Sequence, residues 1–389
     1  MKNALPFPWV VSTGSCARNE CSDVADMRLS HLMIPLLPCL AGVATSLSAV
    51  EVGPPGSGLQ IGGWGEAIAR AEHHDRRSPN NSAAGSLGAT DEDTVVFSSD
   101  ALLKIAYQVD QFSLRLDVFA SNKPQFDDDN NVILEQAYID WKCDDLVTLR
   151  AGRFYTTWIG WEGFHTPNQF RVNHSAMWSW NVRDHGELGN HPFVSDGLGL
   201  SFQAPEDPLK LSFFVVEDVL GNGPDAKGTD VAYGVNLTWS PTLLGQAEFG
   251  AVFDPNSMTE DGLTSSDGAA LDFNLDVTSL RDYGWFFAAE VQYHFHSHLS
   301  VTGPEFGDAL MWLLMANYTI NDKVSVTAMV DRVDRGMDLP NNEIFEVALA
   351  VLTRPHQQVR LNFEVFHWNE SAANADSFGA AGVLLVELP

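Results

Sequence analysis

The chain has 389 residues, with 51 Asp and Glu against 22 Lys and Arg, for a formal charge of −29. Such an excess of negative charge repels phosphates and excludes a nucleic-acid partner. Only Cys143 lies beyond the first 40 residues, so the bulk of the chain holds no internal disulfide and no thiol metal site.

Residues 1–26 carry no targeting character and read as an upstream extension. Residues 27–49 read as a secretory signal peptide: Met27-Arg28 is followed by an apolar stretch from Leu32 to Ala44, then by Ser46-Leu47-Ser48-Ala49. Cleavage is expected after Ser48 or Ala49. Pro38 before Cys39 argues against a lipoprotein anchor. The charges of the removed segment cancel, Lys2, Arg18 and Arg28 against Glu20, Asp23 and Asp26, so residues 50–389 keep the whole excess. These are expected to form one domain.

No later run reaches the roughly 18 apolar residues of a membrane helix. The longest are Ala309 to Ala316 and Phe378 to Val386. An exported chain without a helical anchor is either soluble or a closed transmembrane barrel, the other structure that satisfies backbone polar groups in lipid.

Period-2 patterns then dominate. Phe112, Leu114, Leu116 and Val118 alternate with Ser113, Arg115 and Asp117. The pattern recurs in Val231 to Trp239, Ala269 to Val277 and Val359 to Val365. Short connections fall near Asp110-Gln111, Asp144-Asp145, Pro205–Pro208, Ser240–Leu243, Ser279–Asp282, Asn321-Asp322 and Arg354–Gln358. Longer polar stretches lie between them, at 73–94, 122–131, 157–194, 218–229, 254–267, 297–307, 334–342 and 369–376. Seven short turns alternating with eight long loops predict an all-β, closed antiparallel transmembrane barrel of about 16 strands, with the short turns periplasmic. Tyr107, Trp141, Trp239, Tyr283, Trp285 and Tyr318 lie near the short turns, and Tyr293, Phe295 and Trp368 near the long loops. Two such bands match interfacial girdles; core packing has no reason to sort aromatics by turn length.

Alternation also sorts the inward face. Arg70, Lys104, Arg115 and Arg150, tempered by Asp117, would make a mostly basic wall. Glu248, Asp272, Asp276, Glu290, Asp331, Glu346 and Glu364, with Arg360 the exception, would make an acidic wall opposite. Against this field stands the plainer reading that a wet wall is simply polar.

The stretch Asp140 to Phe154 resembles the strand-turn-strand ahead of the third loop in bacterial outer-membrane porins, with Arg150-Ala151-Gly152-Arg153-Phe154 as its Arg/Gly close. Tyr155 to Glu162 is similar to the β-barrel porin families found by genome annotation, and the architectural likeness covers nearly all of 58–388. The terminal Val386-Glu387-Leu388-Pro389 departs from the aromatic ending common in the family. The resemblance implies a Gram-negative-type outer-membrane channel and a homotrimer, with a long third loop that folds into the lumen and narrows it. Residues 157–194 would be that loop, rich in aromatics such as Trp158 and Trp161 and in charges such as Glu162 and Arg171. An ordered cap at the mouth is the alternative. The expected pore and constriction residues are Arg70, Lys104, Arg115, Arg150, Trp158, Trp161, Glu162, Arg171, Asp272, Asp276 and Glu290.

Other chemistry is weaker. His294, His296 and His298 recur every second residue and are weak metal candidates, against the commoner reading of a solvated wall. Asn173-His174-Ser175 and Asp184-His185 contain catalytic residue types, but adjacent strand residues point apart, so no enzyme is expected. Asp127-Asp128-Asp129 is a loop charge run, ordinarily just solvated. No cofactor is expected; the partners are outer-membrane lipid and small hydrophilic solutes and ions. The leading expectation is a passive diffusion channel with modest cation selectivity. A sugar-specific channel and a non-conducting adhesin or structural barrel are the alternatives.

Overall fold

The computed structural model describes residues 50–51, 57–76, 92–121, 132–156, 194–204, 206–217, 231–241, 245–258, 265–298, 306–334, 343–371 and 375–388. All belong to one compact unit, Ser46–Pro389. The proposed extension and signal peptide lie outside the described residues.

The strands are β1 (Val50–Glu51), β2 (Leu59–Arg76), β3 (Glu92–Val109), β4 (Phe112–Ser121), β5 (Val132–Lys142), β6 (Val147–Tyr155), β7 (Val194–Phe202), β8 (Leu209–Glu217) and β9 (Val231–Trp239). They continue with β10 (Gly245–Met258), β11 (Ser265–Val277), β12 (Trp285–His298), β13 (Phe306–Asn321), β14 (Val324–Asp334), β15 (Glu343–His356), β16 (Val359–Glu370) and β17 (Ala375–Leu388). Each of β2 to β17 pairs antiparallel with its sequence neighbour, and β17 pairs with β2 to close the sheet. The result is the 16-stranded antiparallel barrel that the connections predicted. Closure leaves no sheet edge in lipid. The two-residue β1 pairs with Gln60 and Ile61, next to the place where β17 ends opposite Gly63.

The short turns use the chemistry their sequences offer. Asp144 Oδ1 accepts from the amides of Leu146 and Val147, each at 2.8 Å. Asp207 does the same for Leu209 at 2.9 Å, and Asn321 for Lys323 at 2.9 Å. Such side chains stand in for a backbone acceptor in a tight reversal. The turn after β11 holds a 3-10 helix at Arg281–Tyr283, closed by Gly284 at φ 82. That conformation favours glycine.

Several strands run further than the polarity of their ends suggested. β10 continues to Met258 and β11 starts at Ser265, inside the stretch read as a 254–267 loop. The ladder shifts between Asp254 and Ser257, and again between His294 and Ser297 on β12. A bulge interrupts period 2, so the pattern fades before the strand does.

The outer wall is a band of exposed apolar side chains, including Leu103, Leu114, Phe213, Leu237, Phe273, Leu314 and Leu349. Tyr107, Phe112, Trp141, Trp239, Tyr283, Trp285 and Tyr318 form a girdle at its short-turn end. Neighbours stack there, Phe112 on Trp141 at 6.1 Å and Trp285 against Tyr318 at 4.7 Å. The opposite girdle contains Phe97, Tyr233, Phe253, Tyr293, Phe295, Phe345 and Phe378. Trp368 does not join it. It is buried on the inner face, on the parity of Phe366 and Glu364.

Candidate channel lumen

Inward parity follows from the ladder, because residues opposite each other share a face. Arg70, Lys104, Arg115, Arg150, Asp117, Glu248, Asp272, Asp276, Glu290, Asp331, Glu346, Glu364 and Arg360 all fall on the inner face. Trp158, Trp161, Glu162 and Arg171, and with them the third loop, lie outside the described residues.

Across β2 to β6 the basic wall read from the sequence is instead a wall of ion pairs. Arg115 meets Asp117 through Nε at 2.6 Å and Nη2 at 2.9 Å, and Gln136 donates to the same carboxylate at 2.8 Å. Lys104 stands opposite Asp117 on β3. Arg150 donates to both oxygens of Asp140, at 2.7 and 2.8 Å. Its guanidinium lies 4.0 Å from the Tyr138 ring centre and 5.6 Å from that of Phe154. Arg70 pairs with Glu72 and stacks 4.5 Å over the Phe366 ring. Bidentate pairing and ring stacking both hold a guanidinium in one place. The sequence reading had Asp117 tempering this wall, but it missed Glu72, two residues along from Arg70, and Asp140, across a turn from Arg150. Further inward groups escaped it too: Glu66, Asp100, Glu135 and Lys210. Glu66, Asp100 and Lys210 obey the same alternation and could have been found by it.

Across β10 to β15 carboxylates dominate. Glu248 faces Asn274, Asn274 faces Glu290, Glu290 faces Leu313, Leu313 faces Asp331, and Asp331 faces Glu346. Four carboxylates thus lie along one cross-strand row, with Asp272 and Asp276 flanking it on β11. Gln246 donates to Glu248 at 2.6 Å, and Gln292 to Glu290 at 2.9 Å. Beyond Gln292 sits buried His294, its Nε2 at 3.4 Å from the amide oxygen. The side chains of His296 and His298 are not among those described. The ladder shift after His294 means one uniform period does not run through all three. Among the described residues no group of three His, Cys, Asp or Glu could hold a metal.

The inner face also carries apolar patches that alternation did not announce. Phe286, Met311, Leu313, Met315, Met329, Val333, Ile344 and Trp368 form one cluster over β12 to β16. Phe154, Phe214, Val216, Ala232, Val252 and Ala270 form another over β6 to β11. The tip of the Phe214 ring sits against Gly234, where any Cβ would overlap it.

A closed barrel with an apolar band, two girdles and a polar, charged inner face is an outer-membrane channel protein. Residues 58–330 match the family described as "Putative beta-barrel porin-2, OmpL-like", and the chain belongs to it. Its place is the Gram-negative outer membrane. Among solved structures it is similar to the outer membrane channel DcaP of Acinetobacter baumannii, with TM-score 0.58 and 12% identity over 88% of this chain and 100% of that one. It is similar to OprB of Pseudomonas putida at high pH, with TM-score 0.59 and 12% identity over 85% and 94%. It is also similar to an anion-selective porin from Comamonas acidovorans, with TM-score 0.57 and 10% identity over 85% and 100%. At these identities the likeness concerns the fold. No curated protein matches the sequence.

Proposed function

We propose that the protein is a passive diffusion channel for small hydrophilic solutes and ions, modestly selective for cations. The observation that carries this reading is the charge of the inner face. Its arginines on β2 to β6, Arg70, Arg115 and Arg150, sit in pairs with carboxylates, while β10 to β15 add Glu248, Asp272, Asp276, Glu290, Asp331 and Glu346. Low-dielectric walls focus such a field into the lumen, enriching cations and depleting anions. On this reading Arg70, Lys104, Arg115, Arg150, Asp272, Asp276 and Glu290 face the permeating ion. The third loop, with Trp158, Trp161, Glu162 and Arg171, supplies the constriction. The working form is a homotrimer.

Single-channel recording of purified protein in asymmetric KCl tests the reading. A zero-current potential of the sign set by K⁺ supports it. A potential set by Cl⁻ overturns the selectivity, and absence of conductance overturns the channel in favour of a structural barrel. Aromatics on the inner face, Tyr138 and Phe154 beside Arg150, favour a second reading, a channel that stacks sugar-like solutes. Saturable block of the current by sugars would distinguish it.

A further inference from the structure

We propose that the inner wall of β4 to β6, at Arg115, Tyr138 and Arg150, is a binding site for a small organic monocarboxylate. The site goes beyond passive diffusion and rests on a separate observation, the hydrogen-bond donors that this wall leaves unused.

Each arginine commits two of its nitrogens to one carboxylate. Arg115 gives Nε and Nη2 to Asp117, and Arg150 gives the same two atoms to Asp140. Nη1 remains on both, with no partner among the described residues. Tyr138 joins the two arginines. It stands directly opposite Arg115 in the β4–β5 ladder, and the Arg150 guanidinium lies 4.0 Å from its ring centre. The Tyr138 hydroxyl likewise has no partner among the described residues. The wall also makes room for this arrangement. Gly152 stands opposite Tyr138, and Gly199 opposite Arg150. A Cβ on Gly199 would come within 3.4 Å of the Arg150 Cβ and 3.6 Å of the Phe154 ring. A guanidinium held along one edge and stacked on a ring is placed before any ligand arrives, so little rotamer freedom is lost on binding.

Exposure decides the sign of the ligand. The Arg115 and Arg150 side chains are 30% and 29% exposed, against 1% for Asp117 and 19% for Asp140. A solute in the lumen therefore meets guanidinium edges, with the paired carboxylates behind them. Lys104 on β3 and Lys210 on β8 face inward to either side, and neither forms an ion pair among the described residues. Pairing thus cancels most of the positive charge of this wall but not all of it. A small excess suits a single carboxylate better than a polyanion. A carboxylate has about four acceptor positions and can take the two Nη1 groups and the Tyr138 hydroxyl together.

The test reads binding rather than current, so it stands whether or not the channel conducts. Saturation-transfer NMR on the full chain in lipid nanodiscs, in low-chloride buffer, compares D-gluconate with D-sorbitol, the same carbon chain without the carboxylate. Gluconate should give a saturable signal and sorbitol none. Tyr138→Phe keeps the ring under Arg150 and removes the hydroxyl. It should raise the gluconate dissociation constant about tenfold, as expected for one lost hydrogen bond to a charged group. Arg150→Lys keeps the charge and removes the fork, and should raise the constant by about as much. An equal sorbitol signal overturns the carboxylate as the ligand class. Gluconate binding that is unchanged in either variant overturns the placement on this wall. No gluconate signal from the unmodified protein overturns the site while leaving the diffusion reading in place. Gluconate binding by a protein that passes no current overturns the diffusion reading and supports the site.

Discussion

Neutralising Asp272, Asp276 and Glu290 together, as Asp272→Asn/Asp276→Asn/Glu290→Gln, should reduce cation preference by an amount that can be worked out. The three sit on neighbouring strands, with Asp272 and Asp276 on either side of Asn274 and Glu290 opposite it. A unit charge about 10 Å from the ion path contributes roughly 0.4 kcal/mol in water. Screening over a Debye length of about 10 Å at 0.1 M salt leaves about 0.15 kcal/mol, or close to 0.5 kcal/mol for three. That is about a twofold change in local concentration for each ion, in opposite directions, so the K⁺/Cl⁻ permeability ratio should fall about fourfold. At 1 M salt the difference should shrink but not vanish, because a Debye length of about 3 Å screens the watery part of the path and not the wall that buries Asp272 and Glu290. The assay is the zero-current potential across a planar bilayer in a KCl gradient, wild type against triple variant, at both salt levels. An unchanged ratio at low salt would refute the placement of these carboxylates along the ion path. A shift of equal size at high salt would refute a screened lumen field as its cause.

Replacing Arg115 or Arg150 with Gln should raise cation preference in the same assay, because each removal releases a carboxylate, Asp117 or Asp140, from a bidentate pair. Val235→Arg on the lipid face should cost about 2–4 kcal/mol of folding stability in urea titration from vesicles, and Thr238→Arg on the inner face should cost less. Gly234→Val should displace the Phe214 ring, with about 1–3 kcal/mol lost to overpacking and a lower single-channel conductance as the ring swings inward. Biotin tags placed between Met258 and Ser265 should be labelled from outside intact cells, whereas tags at Asp144-Asp145 or Asp322 should be shielded.

The outer wall was readable because lipid demands one thing of it. Val235, Leu275 and Leu361 alternate without a break, and the structure turns each outward. The strand count followed from connection lengths, which a bulge alters by a residue or two without changing their order. The inner wall obeys no single rule. A side chain there can be wetted, ion-paired or packed, and period 2 does not say which. Arg150 looked like a bare base in the sequence, yet its partner Asp140 lies on the previous strand, reached through the Asp144-Asp145 turn. Trp368 looked interfacial because it lies near a long loop, but its parity belongs with Glu364 and Phe366. The Ala309 to Ala316 run was visible only as too short for a helix. A strand apolar at successive positions has apolar surroundings on both faces, here lipid outside and the packed cluster inside, and that clue was available. The Arg153–Asp196 ion pair on the outward parity was hidden, because two residues on strands joined by the longest connection become neighbours only once the register is known.

The inner apolar cluster bears on selectivity as well as on packing. Leu313 interrupts the carboxylate row between Glu290 and Asp331, with Met311 and Met315 beside it along β13. Asp331 and Glu346 are accordingly almost wholly buried, while Arg115 and Arg150 keep about a third of their side chains exposed. Counting charges by exposure alone would therefore make the lumen look basic. Two physical effects oppose that count. An arginine in a bidentate pair presents a dipole, whose field falls faster with distance than that of a lone charge. A buried charge acts across a medium that salt ions do not enter, so its field is screened much less than that of an exposed one. The paired bases thus act over short range and the carboxylates over long range. On the proposed reading, a cation in the middle of the lumen responds mainly to the carboxylates, and an anion finds attraction only close to the β4–β6 wall. Selectivity measured with a large anion, held away from that wall by its size, should then exceed selectivity measured with Cl⁻. Equal values for a large and a small anion would mean that the exposed arginines contribute nothing to anion passage.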